Sequence, residues 1–301
     1  MDRRSFMASA GAIGLAAAAG LGADKRTARR DAFTMKFAPH FGMFRHLAGD
    51  DPVAQLEFAA GEGFTAWEDN GMSGRSVEDQ ERIARAMRDL GIEMGVFVLN
   101  PSTAWGPTFS RGDAGDRAKF LDEAKAAADV AQRVNARWMT VVPGTREQRL
   151  DLSYQTAYAV DQLRAAAETL EPHGLTMVLE PLNPRNHPNM LLAEMGHAYE
   201  ICRAVDSPAC KILCDLYHQQ ITEGNLIPNI DRSWDEIAYF QIGDNPGRNE
   251  PTTGEINYAN VFAHIKRKGF TGILGMEHGN SRGGAEGERA VINAYRACDP
   301  G

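Results

Sequence analysis

Four short stretches of this chain end a run of mostly apolar residues on an oxygen-bearing side chain. They are MVLEP on Glu180, ILCDLYH on Asp215 with His218 three residues further on, YFQIGD on Gln241, and LGMEHG on Glu277. Taken singly, each carboxylate is equally well explained as a helix cap or as the partner of a neighbouring arginine. Gathered in one concavity, three carboxylates repel and raise one another's pKa unless a cation neutralises them. An all-oxygen donor set favours Mg2+ or Mn2+ over zinc, which prefers His and Cys. Such a cation polarises a ketone and an adjacent hydroxyl. Glu180 and Glu277 are then the natural base and acid, one removing the proton alpha to the carbonyl and the other returning it. Return to the neighbouring carbon isomerises; return to the opposite face of the original carbon epimerises.

Around this set, His218 is expected to reach a substrate oxygen, and Arg248 to clamp a substrate carboxylate through two parallel N–H bonds. The alternatives are a surface histidine and an arginine paired locally with Asp244 or Glu250. His40, Trp67 and Glu68 are candidate pocket-wall residues, with His40 and Glu68 taken as substrate contacts. The glycines from Gly279 to Gly287 either offer backbone N–H groups to an anion or serve as a flexible connector.

Intervals of 35, 26 and 36 residues separate Glu180, Asp215, Gln241 and Glu277, each close to one strand, one helix and two loops. That rhythm reads as consecutive buried parallel strands. Strands are expected at 35–44, 64–70, 93–99, 137–144, 175–183, 211–217, 238–242 and 271–277. Helices are expected between them at 52–61, 76–90, 116–135, within 146–172, and at 192–205, 233–237, 258–268 and 286–298. Asp51 and Pro52 suit a helix start, and Ser76 with Asp79 has capping-box spacing. The long segment 100–115, with Trp105 and Phe109, reads as an active-site lid or a disordered loop. Eight alternations in one domain predict an α/β fold, a single (β/α)8 TIM barrel, in which strand ends converge on one site.

The chain has 301 residues, 43% hydrophobic and 24% charged, and one barrel plus an N-terminal extension accounts for that length. A net charge of −8 disfavours a nucleic-acid surface. Its 4 cysteines show no CxxC spacing and read as buried structural thiols. Arg3-Arg4-Ser5-Phe6-Met7 followed by the uncharged, small-residue run 8–22 resembles a twin-arginine export signal. Residues 1–34 are therefore expected to be signal and linker, residues 35–301 the barrel, and the location the periplasm, with no stable membrane insertion after processing.

LEPLN at 179–183, CDLYHQQ at 214–220, FQIGDNPGRNEPTTGEINY at 240–258 and GMEH at 275–278 resemble the hydroxypyruvate isomerase family, within the xylose-isomerase-like and ketose 3-epimerase-like TIM barrels. The resemblance implies Glu180, Asp215, Gln241 and Glu277 as ligands of a divalent cation, the two glutamates as the proton-transfer pair, and His218 and Arg248 as substrate contacts. Gln241 points toward hydroxypyruvate isomerase, because the related ketose epimerases generally place His there. Thr252-Thr253 stands where the family usually has Gly-Thr. The expected function is a metal-dependent isomerase interconverting hydroxypyruvate and tartronate semialdehyde, or a close keto-acid analogue, through an enediolate. Its rivals are an exported ketose or keto-sugar epimerase or isomerase, and a non-catalytic periplasmic carbohydrate-binding barrel. The expected partner is a small keto acid or sugar, and a homo-oligomer is compatible with the sequence.

Overall fold

The computed structural model describes residues 30–301, so the export signature lies outside the described residues. Eight strands occur in chain order: β1 Lys36–Ala38, β2 Ala66–Trp67, β3 Glu93–Met94, β4 Trp138–Val141, β5 Thr176–Leu179, β6 Cys210–Asp215, β7 Ile237–Gln241 and β8 Ile273–Gly275. The helices are α1 Arg45–Ala48, α2 Pro52–Gly61, α3 Val77–Leu90, α4 Ala114–Val134, α5 Leu152–Leu170, α6 Met195–Val205, α7 Leu216–Thr222, α8 Leu226–Ser233, α9 Tyr258–Arg267 and α10 Gly284–Cys298. All pairings between named strands are parallel, in a six-stranded run β1-β8-β7-β6-β5-β4 and a pair β2-β3. Backbone bonds close the circle. Glu68 N–H donates to Pro39 at 2.9 Å, and past the end of β3 Leu99 N–H donates to the Thr140 carbonyl while Thr140 N–H donates to the Phe97 carbonyl, both at 2.9 Å. The fold is a (β/α)8 barrel.

One buried cluster shows why the strands close. Ala38, Ala66, Val96, Trp138, Val178, Leu213, Tyr239 and Ile273 pack together, one from each successive strand or its immediate continuation. They fill the barrel interior, while a second, larger cluster fills the space between strands and helices. Side chains alternate along a strand, so residues two further on share the inner face. From this interior set, two steps lead to Glu68, Glu180, Asp215 and Gln241, and four steps from Ile273 lead to Glu277. Two helices begin where the caps predict, and a third is capped by an aspartate that the pattern did not single out. Asp51 accepts from Ala54 N–H with Pro52 next, Ser76 accepts from Asp79 N–H, and Asp113 accepts from Asp116 N–H.

Several expectations need correction. The sixth strand stops at Asp215 rather than Tyr217, because Asp215 caps α7, a helix the apolar pattern concealed. The helix expected at 233–237 is α8 followed by a 3-10 turn at Trp234–Glu236. The linker is also too long: Phe33 is buried, packs on Phe37 and Phe64, and lies beneath the Arg296 guanidinium. The barrel therefore begins before residue 35, at least from the packed Phe33.

Candidate functional site

Four groups converge at the C-terminal mouth. One ligand atom each from Glu180, Asp215, His218 and Glu277 lies within 4.8 Å of every other. Glu180 directly follows β5, held by its N–H to Val141 at 3.1 Å. Asp215 ends β6 with Oδ1 accepting from Tyr217 and His218 N–H, which leaves Oδ2 for the cluster. Capping α7 thus places His218 one helical turn from Asp215. Its Nε2 lies 3.5 Å from Asp215 Oδ2 and 3.7 Å from Glu180 Oε1.

Arg248 joins them. It is held in the left-handed region at φ 49, and its Nη2 donates to Glu277 Oε2 at 2.6 Å and to Asp215 Oδ2 at 3.2 Å. The guanidinium also lies 4.9 Å over the Tyr217 ring. Neither local partner takes it: Asp244 accepts from Gly254 and Ile256 N–H, and Glu250 from Ser281. Gly279 N–H donates to the Arg248 carbonyl, so the glycine-rich segment begins as a brace for this loop.

The electrostatics are those of crowded acids. Burial raises Glu180 well above the carboxylate range, with Glu277 and Asp215 adding and Arg248 opposing. Burial also lifts Glu277 to about 7, opposed by Arg248 and reinforced by Asp215. His218 is pushed down to about 4 by burial against the pull of Asp215. Its Nδ1 faces donors, the Asn183 backbone N–H at 3.3 Å and the Asn183 amide at 2.6 Å. Nδ1 therefore accepts, and Nε2 carries the proton toward the cluster.

Gln241 ends β7 beside this set. Its Nε2 donates to Glu68 Oε1 at 2.8 Å, while its buried Oε1 has no hydrogen-bond partner. A buried acceptor without a donor calls for an electropositive partner. With Asp215 as the register partner of Gln241, and Glu180 and Glu277 clustered with Asp215, this donor set fits a hard divalent cation bound by Glu180, Asp215, Gln241 and Glu277.

Two expected substrate contacts are placed otherwise. Glu68 is buried and hydrogen-bonded to Tyr239 and Gln241, and burial followed by the Glu277 charge raises its pKa well above the ordinary value. His40 rests with its ring nitrogens on the carbonyls of Phe41 and His278. Trp67 is fully buried against Phe41. In the 100–115 loop, Phe109 is a core residue packed on Phe120, and Ser110 Oγ donates to Thr145. Trp105 remains 60% exposed and stacks at 5.8 Å on His187, whose ring meets the edge of His218.

Sequence reasoning missed Asn70 as a partner, Asn183 and His187. Asn70 Nδ2 donates to Glu277 Oε1 at 3.1 Å, steadying the acid from the side opposite Arg248. Asn183 lies within the quoted LEPLN motif, and that position was the available signal for it. His187 had none, since its role depends on where Trp105 lands.

A family model described as xylose isomerase-like TIM barrel matches residues 56–298. The chain is 32% identical over 209 residues to the 2-oxo-tetronate isomerase of Pectobacterium atrosepticum, covering 68% of this chain and 78% of that protein. It is 28% identical over 249 residues to the hydroxypyruvate isomerase of Escherichia coli, covering 82% and 92%. Among solved structures, AP endonuclease, family 2 from Brucella melitensis superposes with a TM-score of 0.73 at 25% identity, over 87% of this chain and 99% of that one.

Proposed function

The chain belongs to the xylose isomerase-like TIM barrel family, with keto-acid isomerases among its relatives, and from that premise we propose that it is a divalent-metal-dependent isomerase of short 2-keto-3-hydroxy acids. Hydroxypyruvate and 2-oxo-tetronate are the leading substrates. The reaction moves the carbonyl one carbon along, through an enediolate.

The observation that carries this reading is the partnerless, buried Gln241 Oε1 on the strand paired with Asp215, itself one of three clustered acids. Mg2+ or Mn2+ held by Glu180, Asp215, Gln241 and Glu277 would polarise the ketone and the neighbouring hydroxyl. The remaining work falls to the chain. One of Glu180 and Glu277 takes the proton from the hydroxyl-bearing carbon and the other delivers a proton to the former carbonyl carbon, while the hydroxyl proton passes to the former carbonyl oxygen, so carbonyl and hydroxyl exchange places with no net gain or loss. Each glutamate must hold a proton for part of the cycle. His218 Nε2–H donates to a substrate oxygen. Arg248, freed from Glu277 and Asp215 once a cation neutralises them, binds the substrate carboxylate. That arginine supports an acid over a neutral sugar.

Turnover of both keto acids is measured with and without Mn2+ or Mg2+, beside Glu180→Gln and Glu277→Gln. Activity retained in both variants would overturn the two-glutamate mechanism, and activity indifferent to exhaustive chelation would overturn the metal. We also propose export by the twin-arginine route, supported by Arg3-Arg4 ahead of the uncharged run 8–22. Fractionation of cells carrying Arg3→Lys with Arg4→Lys tests it, with loss of the periplasmic form expected.

A further inference from the structure

We propose that Glu68 is a positioning residue for the metal centre, turning the Gln241 amide so that Oε1 rather than Nε2 faces the acid cluster. The inference rests on the metal reading above and deepens it.

Glu68 points into the barrel between the Tyr239 ring and Gln241. Its Oε2 accepts from the Tyr239 hydroxyl at 2.9 Å and its Oε1 from Gln241 Nε2 at 2.8 Å. Both oxygens are engaged as acceptors, and the residue is 2% exposed. With one oxygen accepting from a hydroxyl and the other from an amide NH2, Glu68 holds the NH2 end of Gln241. The carbonyl end must then face away from Glu68, and there it is found, buried and unpartnered.

The two ends of an amide differ little in shape, so packing alone does not choose between them. A flipped Gln241 would present a donor to a cation. The choice between ligand and repeller therefore falls to the hydrogen bond behind the amide. Gly275 makes room for that arrangement, because a Cβ at this position would stand 1.8 Å from Glu68 Oε2. Gly275 is also the register partner of Gln241, so glycine, glutamate and glutamine meet at one level of the barrel. Outer partners of this kind orient metal ligands in general; here the partner is an acid from β2 acting across the barrel on β7.

The test is Mn2+ affinity of the full chain, read from the electron paramagnetic resonance signal of free Mn2+. In Glu68→Gln the single remaining oxygen cannot serve both Tyr239 and Gln241, and Mn2+ binding is expected to weaken about 10- to 100-fold. Combining it with Gln241→Glu restores the outcome by exchange: the new amide donates backward, and a carboxylate oxygen faces the cluster. Recovery to within severalfold of wild type is expected, which a merely structural role for Glu68 would not produce. Tyr239→Phe is the milder variant. It keeps every carboxylate, loses the hydroxyl that pins Glu68, and should weaken Mn2+ severalfold. Wild-type affinity in a folded Glu68→Gln variant, or no recovery in the folded double variant, overturns the inference alone. If Glu68→Gln does not fold, unchanged affinity in Tyr239→Phe overturns it. A wild-type protein that binds no Mn2+ overturns the metal reading and this inference together.

Discussion

Arg248 Nη2 and Glu277 Oε2 lie 2.6 Å apart, so the group that would clamp a substrate acid is tied to the group that would move its proton. The same nitrogen reaches Asp215 at 3.2 Å. One cation thus balances carboxylates that a metal would also balance, and the two compete for them. Arg248→Met should bind Mn2+ more tightly than wild type in the absence of substrate. It should also lose roughly 30- to 150-fold in kcat/KM for a keto acid, the worth of a charge-assisted bond of about 2 to 3 kcal/mol. Titrations and initial rates check the split; a loss in both quantities would deny the competition.

Metal removal should leave a pH signature. The folded-state pKa of Glu277 is raised from an ordinary 4.5 to about 7, and that of Glu180 is raised well above the same value. Acids shifted upward contribute stability that is present below about pH 4.5 and lost as pH rises through about 7. The metal-free protein is therefore expected to carry a larger penalty at pH 8 than at pH 5.5. Mn2+ should raise Tm more at pH 8 than at pH 5.5, measured against a chelated control at each pH. Equal shifts would contradict the crowding of these acids.

The tautomer of His218 is set by Asn183, whose donors face Nδ1. Asn183→Asp keeps the acceptor used by Arg185 and Asn186 N–H but removes the amide donor. An acid there pulls the proton to Nδ1 and turns Nε2 into an acceptor. A fall of about 10- to 100-fold in kcat/KM is expected, the cost of one lost donor to a charged oxygen. The 15N chemical shifts of His218 would report the tautomer directly.

Trp105 and His187 roof His218 at the mouth of the site. Trp105→Ala should admit water to the proton-carrying glutamates. Deuterium incorporated per turnover in D2O is expected to rise severalfold relative to product formed, with Mn2+ affinity unchanged. Unaltered exchange would make Trp105 an ornament of the loop.

Thr252 sits at φ 77, in the left-handed region that β-branched residues rarely occupy. Glycine, which takes positive φ freely, suits this backbone better. Thr252→Gly relieves about 1 to 2 kcal/mol of strain, partly offset by the greater freedom of glycine in the unfolded chain. A net rise of roughly 2 °C in Tm is expected, read by calorimetry.

The sequence by itself determined the eightfold alternation of strand and helix and the acids at the strand mouths. Glu180, Asp215 and Gln241 were legible because strand side chains alternate with period two and barrel sites lie at one end of the strands. Asp51 and Ser76 start helices through bonds three residues away, which local spacing encodes. Tertiary structure alone decided the partners. Glu68 reaches Gln241 across 173 positions, Asn70 reaches Glu277 across 207, and Arg248 reaches Glu277 rather than the acids beside it. Those pairings exist only once the barrel has closed and its loops have taken their paths, because no local period brings such residues together. Glu68 is the clearest case: its sequence position suggested a pocket wall, and closure turned it inward to hold the Gln241 amide.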